Sequence, residues 1–275
     1  GSAALATSTT ATDNTAIGYQ ALNANTSGAD NVALGTEAGH DITTGSRNTI
    51  LGSKAADAAT TTDDSTLIGY NAGGSAIMTG HDNTAVGANT LGATTSGNSN
   101  TAVGKNSGTS ITTGSYNTLL GFQAGDALTT GSSNVAVGYN ALSAEDGDGS
   151  NIAIGANSLG NQNAGATAYN VAVGHDAGAS VTVGIKNVLL GGLAGDALTD
   201  ADSNVAVGYQ ALSFDQQGSN SVAIGNQALT TQRFTSGTNA YNVAIGAQAG
   251  QEITTGVENT IVGALAGDAL TTGEM

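Results

Sequence analysis

A chain of 275 residues with 42 glycines, no proline, cysteine or tryptophan and only 9% charged side chains has the composition of a flexible polymer, yet 39% of it is apolar, too much for a solvated linker. Its formal charge of −16 repels phosphate backbones and anionic lipid and argues against nucleic-acid and membrane-surface roles. No apolar run approaches the roughly 20 residues of a membrane span, and the lack of cysteine says only that the fold does not rely on disulfides.

In chain order, residues 1–13 read as an N-terminal arm or cloning remnant. Gly1-Ser2-Ala3 lacks the basic segment and apolar core of a signal peptide. Residues 14–275 form one repeat domain. Its motif is Asn, two residues, an aliphatic residue, then Gly, from Asn14-Thr15-Ala16-Ile17-Gly18 to Asn259-Thr260-Ile261-Val262-Gly263. Eleven of the fourteen spacings between motif glycines are 17 residues, and the others are 18, 19 and 21. The opening residue is Asn14, Asn31, Asn48, Asn83, Asn100, Asn117, Asn134, Asn151, Asn170, Asn187, Asn204, Asn242 or Asn259, with Ser65 and Ser221 in the other two copies. Such periodicity predicts an all-β parallel β-solenoid (a β-roll or β-helix) of about fifteen rungs. The asparagines are expected to form a hydrogen-bonded ladder at one corner.

Each motif reads as a short strand. Ile17, Leu34, Leu51 and their successors share a face with the β-branched residues two positions earlier, and that face is the expected core. The intervening residue is usually Ala (Ala16, Ala33, Ala85) and is expected to face outward as a flat column. Further along, six copies carry a leucine such as Leu22 or Leu91. Most of the rest carry an apolar residue three positions later, such as Ile42 or Ile111, so two alternative anchors fill one core volume. The leucine copies place Asn25, Thr94, Glu145, Gln162, Asp215 and Gln232 at that later position. Every fourth rung has Ile or Leu as the middle strand residue (Ile50, Leu119, Leu189, Ile261) and then an Asp (Asp57, Asp126, Asp196, Asp268), giving tandem units of about 70 residues. The thin core and the outward Ala column suggest three rods about a common axis, against a monomeric solenoid as the rival.

Asn14-Thr15-Ala16-Ile17-Gly18-Tyr19-Gln20-Ala21-Leu22 resembles the repeats of phage tail-fibre proteins that lie upstream of an intramolecular chaperone domain. Asn220-Ser221-Val222-Ala223-Ile224-Gly225 is similar to the head repeats of YadA-like trimeric autotransporter adhesins. The resemblance implies a left-handed homotrimer displayed outside the cell, on the cell surface or on a virion, with a role in attachment to a host-surface glycan or protein receptor. No enzyme activity and no cofactor are expected. The 17-residue period is longer than that of the autotransporter heads and favours the phage relatives.

The long steps, 160–169 and 230–241, are where a solenoid would host a ligand. Arg233, Phe234, Tyr241 and Tyr169 are the candidate glycan contacts, the alternative being a tolerated surface loop. Tyr19, Tyr70, Tyr139, Tyr209 and Phe122 follow the motif glycine, either as an aromatic stripe for carbohydrate or as packing residues. Glu145-Asp146-Gly147-Asp148-Gly149 resembles part of a calcium loop without its full ligand set, and His40, His81 and His175 show no metal spacing, so no metal is expected. Carboxylates that recur along the chain do not make the single acid pair of a hydrolytic tailspike. Threonines in Ile42-Thr43-Thr44, Ile111-Thr112-Thr113 and Ile253-Thr254-Thr255 leave ice or crystal binding as the alternative function.

Overall fold

The computed structural model describes residues 1–147 and 149–273. The chain forms two compact units, residues 1–134 and 135–275. Unit 1 holds β1 (Thr15–Ile17), β2 (Val32–Leu34), β3 (Thr49–Leu51), β4 (Thr66–Ile68), β5 (Thr84–Val86), β6 (Thr101–Val103) and β7 (Thr118–Leu120). Unit 2 holds β8 (Val135–Val137), β9 (Ile152–Ile154), β10 (Val171–Val173), β11 (Val188–Leu190), β12 (Val205–Val207), β13 (Gly218–Ser219), β14 (Val222–Ile224), β15 (Thr238–Asn239), β16 (Val243–Ile245) and β17 (Thr260–Val262). Every motif strand pairs in parallel with its successor within its unit, Thr15 opposite Val32 and Val171 opposite Val188, so the fold is a parallel β-solenoid of about fifteen rungs. The two-residue strands β13 and β15 pair separately, at the 21-residue step.

Residues 1–13 lie on the same stack. The Leu5 and Thr7 amides donate to the carbonyls of Ala21 and Asn23, and Ala3, Leu5 and Asp13 share the positive φ of Gln20, Leu22 and Asp30 one rung on.

The faces of the strands are the reverse of those expected. Ala33, Ala85, Ala102, Ala136 and Ala172 are buried, whereas Ile17, Leu34, Leu120 and Val262 are 46–68% exposed. The motif asparagine sets this parity. It is buried from Asn31 to Asn259, and residues two apart on a strand share a face, so the middle residue goes in with it. The aliphatic residue before the motif glycine therefore points out. The coil is narrow, and an alanine wall leaves room for Leu22, Ile42, Leu91 and Ile111 from the opposite wall, all fully buried.

The 70-residue superperiod has a packing origin. An enlarged middle residue lies against two successive glycines of the opposite wall, Leu119 against Gly108 and Gly125 and Leu189 against Gly178 and Gly195. A Cβ on Gly125 would stand 2.8 Å from Leu119 Cδ2 and 2.8 Å from Leu128 Cδ1, and one on Gly108 would stand 2.8 Å from Leu119 Cδ1. Bulk thus moves from one wall to the other at constant interior volume. Gly125 also has φ +57°, where an L side chain is strained. We expect Gly125→Ala to destabilise the chain by about 2–3 kcal/mol in urea unfolding, and Leu119→Ala in the same chain to relieve part of that loss.

Candidate functional site

The asparagine column closes the coil. Asn100 Nδ2 donates to the Gly114 carbonyl at 2.9 Å, across the corner of its own rung. Its Oδ1 accepts from the Asn117 amide at 3.0 Å and from Asn117 Nδ2 at 3.0 Å in the next rung. Asn31, Asn48, Asn83, Asn117, Asn170, Asn187, Asn204 and Asn242 make the same bond to the carbonyl fourteen residues on. These polar groups are buried and satisfied, which makes the column structural.

Four polar residues of the leucine copies, Glu145, Gln162, Asp215 and Gln232, join this ladder, a role that volume counting does not reveal, whereas the buried side chains of Asn25 and Thr94 make no hydrogen bond among the described residues. Gln162 Oε1 accepts from Asn170 Nδ2 at 2.8 Å, and Gln232 Oε1 accepts from Asn242 Nδ2 at 2.9 Å. In the copies with Ile42, Ile111 and Ile253, the preceding asparagine oxygen takes that proton instead. The rung of Ser65, one of the two without the asparagine, divides the work between two hydroxyls. Ser65 Oγ accepts from the Asn83 amide, while Thr62 Oγ1 donates to the Gly80 carbonyl.

The candidate ligand residues of the long steps separate. Phe234 is buried, and its amide donates to Asp215 Oδ1 at 2.9 Å in a buried network with Gln232 and Ser221. It is an interior residue, which corrects the expected surface role. The inserted segment is anchored around it, since the Thr238 and Ala240 amides donate to the carbonyls of Gln217 and Ser219. Tyr169 and Tyr241 are exposed in another column, just ahead of the motif asparagine, at positive φ. Every rung turns with a positive φ there, so this strain is architectural. Arg233 is exposed. It lines a cleft of about 430 Å³ with Phe214, Thr231 and Thr254. Phe214 escaped the motif reading because it lies outside the long step. Its register was available: Phe214 follows Asn204 by ten residues, as Thr231 follows Ser221.

Two polar troughs recur on the rungs, one lined by Asn71, Asn89, Asn106 and Asp126 and one by Asn140, Asn157 and Asp176. Burial pushes the carboxyls of Asp57, Asp126 and Asp196 above the usual range. Such a group opposes folding once the pH exceeds its raised value and ceases to do so as the pH falls toward the ordinary carboxylate range. Asp126→Asn is therefore expected to raise the urea midpoint at pH 7 and to leave it nearly unchanged at pH 4. Equal shifts at both values would contradict this.

Of the acidic turn, Asp148 lies outside the described residues, and Glu145 is buried with Oε2 accepting from Asn151 Nδ2 at 3.4 Å. Each histidine stands against an aspartate, His40 on Asp41, His81 on Asp63 and His175 on Asp176. No group of three or more His, Asp or Glu able to hold a metal ion lies among the described residues.

The strands' outer face carries two columns in register, Thr or a β-branched aliphatic at the first strand position and Ile, Val or Leu at the third. In unit 1 they run through β1 to β7, and Ile152, Ile154, Val173, Ile224 and Ile245 continue the pattern in unit 2. Tyr19, Tyr70, Tyr139, Tyr209 and Phe122 stand exposed two residues beyond the strand ends. No protein-family model matches the chain, and no curated protein matches it in sequence.

Proposed function

We propose that the chain is a structural fibre or adhesin segment, a left-handed β-solenoid displayed on a cell surface or virion as a homotrimer. The observation that carries this reading is the exposed aliphatic face. A regular sheet surface of Ile, Val and Leu is a contact surface in want of a partner, and identical copies repeating at the same interval are its natural complement. The resemblance to phage tail-fibre and YadA-like repeats supplies the number three, the handedness and the surface location. Attachment, rather than turnover, suits carboxylates that recur instead of forming one catalytic pair.

The chain has no cysteine, so a single introduced thiol reports contacts cleanly. Leu120→Cys, on the sheet face, is expected to form disulfide-linked chains on mild oxidation, while Thr113→Cys, exposed at a turn, stays unlinked. Equal linking of both would defeat the proposal.

A second reading rests on one feature of unit 1. Thr49, Thr66, Thr84, Thr101 and Thr118 are paired in register on consecutive strands, each two residues from an aliphatic side chain. Hydroxyls and methyl groups repeating at about 4.8 Å suit a crystalline surface such as ice. Of the threonines singled out from the sequence, Thr43, Thr112 and Thr254 donate their hydroxyl protons to carbonyls of the next rung. Thermal hysteresis abolished by Thr101→Lys would establish the ice reading, and its absence would remove it.

A further inference from the structure

Arg233 occupies a position that most copies fill with threonine, and the other exceptions include Asp146, Asn163 and Gln216. It follows Ser221 by twelve residues, the offset at which Thr26, Thr43, Thr95, Thr112 and Thr254 follow their motif asparagines. Its backbone keeps the local pattern, donating to the Thr254 carbonyl at 2.8 Å as Thr112 does to Thr129. The side chain does not. Those threonines each donate a hydroxyl proton to the carbonyl of the next rung, at 3.1–3.2 Å. Arginine, like Asn163 and Gln216 at the same offset, has no hydroxyl to do so.

Of the two arginines, Arg47 forks onto Asp64 at 2.6 and 2.7 Å, whereas Arg233 makes no ion pair among the described residues. In a chain with 21 acidic residues, an exposed arginine without an anion is a vacant fork for a carboxylate. Phe214 stands beside it, 54% exposed, offering an aromatic face. Thr231 and Thr254 complete the cleft; their hydroxyl protons go to the carbonyls of Gln251 and Thr271, which leaves their oxygens free to accept. The cleft's volume falls within the range of small-molecule sites.

We propose that the cleft of Phe214, Thr231, Arg233 and Thr254 binds a saccharide bearing a carboxylate, a sialic or uronic acid. The guanidinium grips the carboxylate through two parallel N–H donors, the C–H face of the pyranose lies on the Phe214 ring, and the threonine oxygens accept from ring hydroxyls. The inference rests on the attachment reading and gives it a ligand class. Glu252 lies one rung beyond Thr231 in the Phe214 column and makes no ion pair with Arg233 among the described residues.

Titration calorimetry with sialyllactose, a glucuronate disaccharide and neutral lactose tests the site, on the chain whatever its oligomeric state. One of the acidic sugars is expected to bind and lactose to bind at least about tenfold more weakly. Arg233→Gln and Phe214→Ala are each expected to weaken the acidic sugar about tenfold or more, with circular dichroism melting unchanged. Glu252→Gln is expected to leave binding unchanged or tighten it. Both acidic sugars failing to bind, or Arg233→Gln binding as the parent does, would overturn the proposal. Lactose binding equally well, and lost in Phe214→Ala, would overturn the acid specificity while leaving attachment through this cleft intact.

Discussion

Asn100→Ala is expected to cost about 3–5 kcal/mol in urea unfolding. The substitution strands the Gly114 carbonyl and the Asn117 amide, each buried and each worth roughly 1–3 kcal/mol when left unpaired. Asn100→Ser is expected to cost less, because Ser65 shows that a hydroxyl at this position still accepts from the next asparagine amide. The Gly114 carbonyl remains unsatisfied in that variant. In the natural serine rung, the donor is the threonine three residues earlier, Thr62. Gly97 is the corresponding residue, and a Cβ there would press on the Gly114 oxygen, so Gly97→Thr should be harmful beside Asn100 and less harmful beside Asn100→Ser. A double-mutant cycle reads this coupling directly, with about 1–2 kcal/mol of favourable interaction expected. Additive costs would show that Thr62 is incidental.

This cycle also marks what the sequence makes legible. The period of the motif glycines reveals the strands, their parallel stacking and the number of rungs, because backbone pairing follows register alone. The direction of each side chain is not revealed by alternation, since Ile17 and Ala16 give the same period whichever points inward. Hydrophobicity favours burying Ile17, but the closing bond made by the asparagine amide takes precedence and buries Ala33 and its equivalents instead. Gln162 and Gln232 stand out in the sequence only as polar residues at the later position of the leucine copies, and their part in the ladder depends on the next asparagine, which only the coil brings near. At the candidate site, Arg233 was visible as an odd residue in a long step. Phe234 was misread because the buried carboxylate of Asp215 that draws its amide inward lies nineteen residues earlier in the chain.

Charge on the sheet face is expected to have the second large effect. Val103 and Leu120 lie on neighbouring strands with their side chains outward. A glutamate at either position keeps its contact with water in a single chain, so each unit should fold as before. At an axis shared by three copies the same change brings like charges together in an apolar contact, at a cost of several kcal/mol. Val103→Glu combined with Leu120→Glu is therefore expected to give a folded, monomeric chain, while a single glutamate weakens association partially. Aggregation in place of a soluble monomer would mean that the face contributes to folding itself.

The most direct measurement is the molar mass of the unaltered chain by light scattering after size exclusion. A trimer gives about 80 kDa, three times the 26.5 kDa chain, and places the Val, Ile and Leu columns against one another. A mass near 26.5 kDa would contradict the trimer, leave that face open to water and make the threonine array of unit 1 the leading candidate for function.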